Sequence, residues 1–167
     1  SFPGLTVEVA GADKQITASS GALTPAVSDT FAVTAAAATT LAFVQQPMAV
    51  VAGATISPAV TVGVQDAYGN AVPDASVELA LVGTGTLTGG GAVLTDAGGI
   101  ATFAALSVDL AGSKQLSASS GALTPALSDT FVVSPAAATT LAFVQQPTTV
   151  VAGATISPAV TVGVQDA

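Results

Sequence analysis

Few residues in this sequence have chemistry to offer. Its 167 positions hold 10 acidic and 2 basic residues, no histidine and no cysteine. A Ser/His/Asp relay and a cysteine nucleophile are therefore both ruled out, because each needs an imidazole or a thiol. The lack of cysteine also removes disulfides and thiolate-bound zinc or iron–sulfur centres. Oxygen ligands remain. Asp66, Asn70, Asp74 and Asp96 sit in turn-rich stretches, and carboxylate and amide oxygens are what calcium takes, so these four are the candidate Ca2+ ligands. The competing reading is that they cap their own turns, and no D-x-D-x-D-G loop concentrates them. No catalytic residue and no other cofactor is implied. Gly83 to Gly91 lacks the lysine, the following helix and the G-x-G-x-x-G spacing of a phosphate loop, and reads as an ordinary loop. Lys114 and Asn70, beside Glu78, are the residue types of an intramolecular isopeptide, yet Lys114 opens a strand at the pole opposite the Asn70 turn. Lys14 and Lys114 are expected at the surface near Asp13 or Asp109, as solvated ion pairs of little energetic value. Asn70 is followed by Ala71 and Val72, so it is not an N-linked glycosylation site, and sugars would have to be O-linked to the many Ser and Thr.

The formal charge of −8 repels a phosphate backbone, which excludes nucleic acid as a partner and disfavours anionic membrane surfaces. Ser, Thr, Gly, Gln and Pro interrupt every apolar run well short of the roughly 20 residues of a spanning helix, so no membrane insertion is expected. Charged residues make up 7% of the chain, far below the roughly one quarter usual in soluble domains. Such a surface of methyls, hydroxyls and backbone repels its neighbours weakly and suits a packed fibre, sheath or layer. An Ala/Thr-rich secreted domain accounts for the composition equally well.

The elements that carry these turns are repeated. Ala36 to Ala67 returns at Ala136 to Ala167 with only Met48/Thr148 and Ala49/Thr149 changed, and Lys14 to Thr34 returns at Lys114 to Ser134, so the period is 100 residues. The division expected is 1–34 as the carboxy-terminal part of one unit, 35–134 as a complete unit, and 135–167 as the start of the next. Period-two alternation bounded by Gly, Pro, Asn and Asp marks the strands. Leu41 and Phe43, then Val60, Val62 and Val64, then Val77, Leu79 and Leu81 face inward, and Asp66 to Asn70 is the turn between the second and third strands. Ala92 to Thr95 is a short fourth strand. In the fifth, Phe103 is out of phase with Leu106, Val108 and Leu110, which calls for a bulge near Ala104 or Ala105. Leu116 and Ala118, then Phe131 and Val133, complete about seven strands and no helix. The alanine patches at 35–38 and 136–138 are too short to nucleate a helix and read as linkers. The phenylalanines pair as Phe2/Phe103, Phe31/Phe131 and Phe43/Phe143, one core trio per unit. Asp13 is an extra residue, expected in a tolerant exposed turn. On this division 1–34 holds the last three strands of a unit and 135–167 the first two. Either the sequence is a window on a longer array, or partial ends of successive protomers complete one another by strand donation.

The run VTVGVQDAYGNAVPDASVELAL followed by GTLTGGGAVLTDAGGIATFAALSVDLAGSKQLSASS resembles the bacterial immunoglobulin-like repeats of invasin- and intimin-type surface adhesins. The features that carry the resemblance are Asp66-x-x-Gly69-Asn70, Val77, Thr95-Asp96-x-x-Gly99 with Ala101-x-Phe103, and Ala111-Gly112. It implies tandem immunoglobulin-like β-sandwich domains of about 100 residues, all-β, strung head to tail outside the cell or on its surface. The function implied is a structural segment of a fibre, sheath or stalk, non-enzymatic, whose partners are neighbouring copies in a tandem array or head-to-tail homopolymer. The alternative is an adhesin segment that binds a glycan or a host or cell-surface protein. Folds of this kind serve many roles, so the resemblance speaks to fold more than to function.

Overall fold

The valines of the second expected strand set the architecture. In a computed structural model that describes residues 1–166, Val60, Val62 and Val64 are fully buried on one strand, and the two main sheets of the middle part of the chain pack around them. Ala167, the last residue of the expected terminal turn, lies outside the described residues. Among the described residues the regular structure is all strand.

The first segment contains β1 (Gly11–Lys14), β2 (Thr17–Ala18), β3 (Ala26–Val27) and β4 (Phe31–Val33), with β1 pairing β4 and β2 pairing β3. The middle unit contains β5 (Ala38–Gln45), β6 (Val50–Val51), β7 (Val60–Asp66), β8 (Ser76–Val82), β9 (Leu87–Thr88), β10 (Val93–Leu94), β11 (Ile100–Phe103), β12 (Ser107–Val108), β13 (Gly112–Ser119), β14 (Ala126–Leu127) and β15 (Phe131–Ser134). The last segment holds β16 (Thr140–Gln145) and β17 (Thr161–Gln165), paired antiparallel.

In the middle unit one sheet runs β11-β7-β5 and the other β10-β8-β13-β15-β6, with β6 parallel to β15 and all other pairings antiparallel. This is an immunoglobulin-like arrangement. Inward residues of both sheets share one core: Leu41, Val60, Val62, Val64, Ala101 and Phe103 from the smaller sheet, and Val77, Leu79, Leu116, Ala118, Phe131 and Val133 from the larger. Two-sided burial of this kind supplies most of the free energy of folding, at about 25 cal/mol per Å² of apolar area.

Four expectations are corrected here. The fifth strand does not continue through a bulge. It stops at Phe103 and resumes as β12, which pairs β9, while the Leu106 and Val108 carbonyls accept the Ile56 and Gly53 amides at 2.8 Å each. The phase break is thus a change of partner, and Leu110, expected inside, is exposed. Phe2 and Phe143 do not fill a core: both are exposed, whereas Phe103 and Phe131 are buried and Phe43 packs against the core from its edge. The extra residue Asp13 does not lie in a loop. Between the pairs Gly11↔Val33 and Lys14↔Phe31 the register slips, whereas Gly112, Ser113 and Lys114 pair Val133, Val132 and Phe131 in step. The insertion is absorbed as a β-bulge with Asp13 at φ +59°. Finally, Lys114 is buried rather than exposed. It is in phase with Leu116 and Ala118, so its side chain points inward, and it donates to Thr84 O at 2.6 Å and Thr84 Oγ1 at 3.0 Å.

The two copies of one sequence isolate what packing adds. β16 pairs β17 in the register of β5 with β7, Leu141 opposite Val164 as Leu41 is opposite Val64. Yet Leu41 is 9% exposed and Leu141 74%. Local sequence sets the hairpin register, and the second sheet sets the burial.

Candidate functional site at the repeat junction

The turn after β7 is built from a continuation of the strand's inward phase. Positions 60, 62, 64 and 66 face the same way, so Asp66 is carried inside and is only 2% exposed. A buried carboxylate must find donors. Its Oδ1 accepts the amides of Tyr68 (2.9 Å) and Asn70 (2.8 Å), and its Oδ2 accepts the Ala36 amide (2.8 Å) and Asn70 Nδ2 (2.9 Å). Burial pushes the Asp66 carboxyl up, but the Asn70 side chain and the amides of Ala36, Asn70 and Tyr68 outweigh it, and the pKa falls from 3.8 to about 2. Asp66 therefore holds its turn and the linker before β5 at once.

Asn70 extends the same network across the junction. Its Oδ1 accepts the Ala10 amide at 2.8 Å, and its Nδ2 donates to the Glu8 carbonyl at 2.7 Å, both in the preceding segment. One amide side chain thus meets a main-chain donor and a main-chain acceptor two residues apart, the spacing of one edge of an extended strand.

The turn is backed from below. Gly99 has φ +72° and its carbonyl accepts the Val64 amide at 2.8 Å. A Cβ there would lie 2.7 Å from Val64 O and 3.0 Å from Val72 N, so only glycine permits this approach. Thr95, buried, donates from Oγ1 to Val72 O (2.7 Å) and accepts the Ala75 amide (2.9 Å), tying the far side of the loop.

The four candidate calcium ligands are placed differently from one another. Asp66 and Asn70 are joined as described. Asp96 folds onto its own turn, its Oδ1 accepting Gly98 N (2.8 Å) and Ile100 N (3.0 Å). Asp74 is exposed at φ +58°, with its amide donated to Thr95 O at 3.0 Å. Among the described residues no three His, Cys, Asp or Glu side chains are gathered as a metal group would require. The isopeptide residue types are engaged elsewhere, Lys114 with Thr84 and Asn70 with Asp66 and the preceding segment. Asp109, expected beside Lys114, accepts the Thr86 amide at 2.6 Å, which holds its carboxyl below the usual range against the opposing effect of burial. In the loop 83–91, a Cβ at Gly90 would collide with the Leu79 carbonyl, and Gly90 O accepts the Leu79 amide at 2.8 Å. The glycines there serve close backbone approach.

The junction escaped sequence reasoning in two respects. Asp66 was visible as the fourth member of the 60/62/64 phase, but its type marked it as a turn residue. The Asn70 contact with Glu8 and Ala10 joins residues 62 and 60 positions apart and leaves no local trace.

No protein-family model and no curated protein matches the chain. Among solved structures it is similar to the D00-D0 domain of intimin, at 18% identity over 66% of this chain and 56% of that one, with a TM-score of 0.46. It is also similar to the adhesin InvE of Yersinia pseudotuberculosis, at 26% identity over 64% of this chain and 29% of that one, TM-score 0.41. A third similar structure is that of domains 4 and 5 of the S-layer protein SbsC, at 17% identity over 73% and 66%, TM-score 0.43. The chain spans about half the length of the intimin structure and under a third of InvE.

Proposed function

We propose that the chain is a structural segment of an extracellular or cell-surface fibre, sheath or stalk, built from immunoglobulin-like units joined head to tail, without catalytic activity. The observation that carries this reading is the recurrence of the bond that holds the linker. Ala36 donates to Asp66 Oδ2 at 2.8 Å, and one period later Ala136 donates to Asp166 Oδ2 at 2.8 Å. A linker held the same way twice propagates one geometry along an array. The low charge fits a packed, load-bearing role. Placement at a cell surface rests on the resemblance of the turn motifs to bacterial surface repeats and is part of the proposal.

Small-angle scattering on arrays of two, four and six copies of residues 35–134 tests it. The maximum dimension should grow linearly with copy number, and a compact particle whose radius scales as a globule's would refute it. A binding role has one observation in its favour: Tyr68, the sole tyrosine, is 58% exposed at the turn, the posture of an aromatic contact residue. Saturable glycan or cell binding that is lost in Tyr68→Ala would establish that second reading.

A further inference from the structure

The contact between Asn70 and the preceding segment involves no side chain of that segment. Asn70 meets only the Glu8 carbonyl and the Ala10 amide. The corresponding stretch of the next repeat is Asp109-Leu110-Ala111-Gly112 against Glu8-Val9-Ala10-Gly11, so the side chains at the first two positions differ between the copies.

We propose that Asp66 and Asn70 form a latch that fixes the orientation of each repeat on the one before it, and that the latch recognises the preceding repeat through its main chain. Asp66 locks Asn70 to the linker, and Asn70 reads a donor and an acceptor that every repeat presents whatever its side chains. Repeats of this kind are therefore interchangeable in order, and side-chain drift at positions such as Glu8/Asp109 and Val9/Leu110 leaves the junction intact. Recognition by a side-chain amide also needs no cation. The latch stands whether the array serves as a stalk or presents a binding tip.

Two substitutions approach the same bonds from opposite sides. Asn70→Ala removes the reader, and Ala10→Pro removes the N–H that Asn70 Oδ1 accepts while leaving the Asp66–Asn70 turn whole. Because the chain has no cysteine, spin labels at Ser20→Cys and Ser76→Cys, both exposed, report the distance distribution between the first segment and the middle unit. Either substitution should broaden a narrow distribution, and the two together should broaden it no further than one alone. In Asn70→Ala the Ala10 amide should exchange at least about tenfold faster, while the Val64 and Val72 amides, bonded to Gly99 and Val64, keep their protection. A distribution already broad in the wild type, additive effects of the two substitutions, or a silent Ala10→Pro would overturn the latch.

Discussion

Ile56 and Ile156 stand in the same ten-residue sequence and differ only in what lies opposite them, which makes the pair a controlled measurement of the core. Ile56 is 1% exposed and its amide donates to Leu106 O at 2.8 Å, whereas Ile156 is 42% exposed. Ile56→Ala removes about three methylene equivalents, worth ~0.8 kcal/mol each on transfer from water. Partial relaxation of the surrounding side chains leaves a cavity, whose cost brings the total to about 3–4 kcal/mol, within the usual range for such truncations. For a unit of this size that lowers the midpoint of thermal unfolding by on the order of 15–25 °C. Ile156→Ala, with no opposing sheet to lose, should cost under about 0.5 kcal/mol. Urea unfolding followed by circular dichroism covers both positions, and Tyr68 fluorescence reads the middle unit separately, since that unit holds the only tyrosine and the chain has no tryptophan. The slope against urea should be unchanged in both variants, so that the shift in midpoint reports stability. Equal costs at the two positions, or a cost at Ile56 below about 1 kcal/mol, would mean that the β5–β7 sheet does not pack on β8, β13 and β15 as described.

Other perturbations address the junction. The carboxyl of Asp66 titrates lower in the folded chain, at about 2, than in the unfolded one. Its contribution is therefore fully present above the unfolded carboxylate pKa of about 3.9 and disappears as pH falls toward 2, and acid titration of Asp66→Asn should lack that limb between pH ~4 and ~2. Gly99→Ala sets a Cβ 2.7 Å from the Val64 carbonyl at φ +72° and should cost about 2–4 kcal/mol, read as a lowered urea midpoint; full stability would mean the turn can move off β7. Calcium should leave the melting midpoint unchanged, because both oxygens of Asp66 are engaged by N–H groups and Asp96 bonds its own turn. A site with a Kd of ~10 μM would instead add about 2.7 kcal/mol at 1 mM calcium, an easily measured rise in the midpoint that chelator reverses.

The strands that were legible are those long enough to show a period. β7, β8, β13 and β15 alternate over four to eight residues, and apart from Asp66 and Lys114 their buried positions are the expected valines, leucines, phenylalanine and alanine. The two-residue strands β6, β9 and β14 are too short to carry alternation, and each exists because a neighbouring strand offers an edge. Lys114 is expected at the surface because a charged residue at a strand end reads as solvent-facing, yet it continues the inward phase 114/116/118 of its strand, as Asp66 continues 60/62/64. The pleat decides otherwise, because side chains alternate whatever their type. At the ends of a sheet unpaired amides and carbonyls are close at hand, so a carboxylate can be met by N–H groups and an ammonium by oxygens. Polarity at a strand end is thus compatible with burial where it is not in the middle. The contacts of Asn70 with Glu8 and Ala10 were illegible for a different reason, since their partners are main-chain atoms and no residue type announces them.

The same distinction bears on how a chain so poor in charge avoids lateral pairing. A surface with 7% charged residues cannot rely on repulsion to keep β-edges apart, and an unpaired edge is an invitation to lateral pairing. In the middle unit the edges are blunted by geometry. β6 and β10 are two residues long, and β11 four. The one long edge strand, β5, is interrupted by irregularities between Ala38 and Thr40 and between Phe43 and Gln45, and Pro47 follows it. Bulges twist an edge out of register with any flat partner, and proline removes a donor. Side-to-side pairing is thereby made poor, while Asn70 meets the main chain of the first segment with an acceptor for the Ala10 amide and a donor for the Glu8 carbonyl. Contacts between segments in this molecule come from where hydrogen-bonding groups are left available, more than from charge.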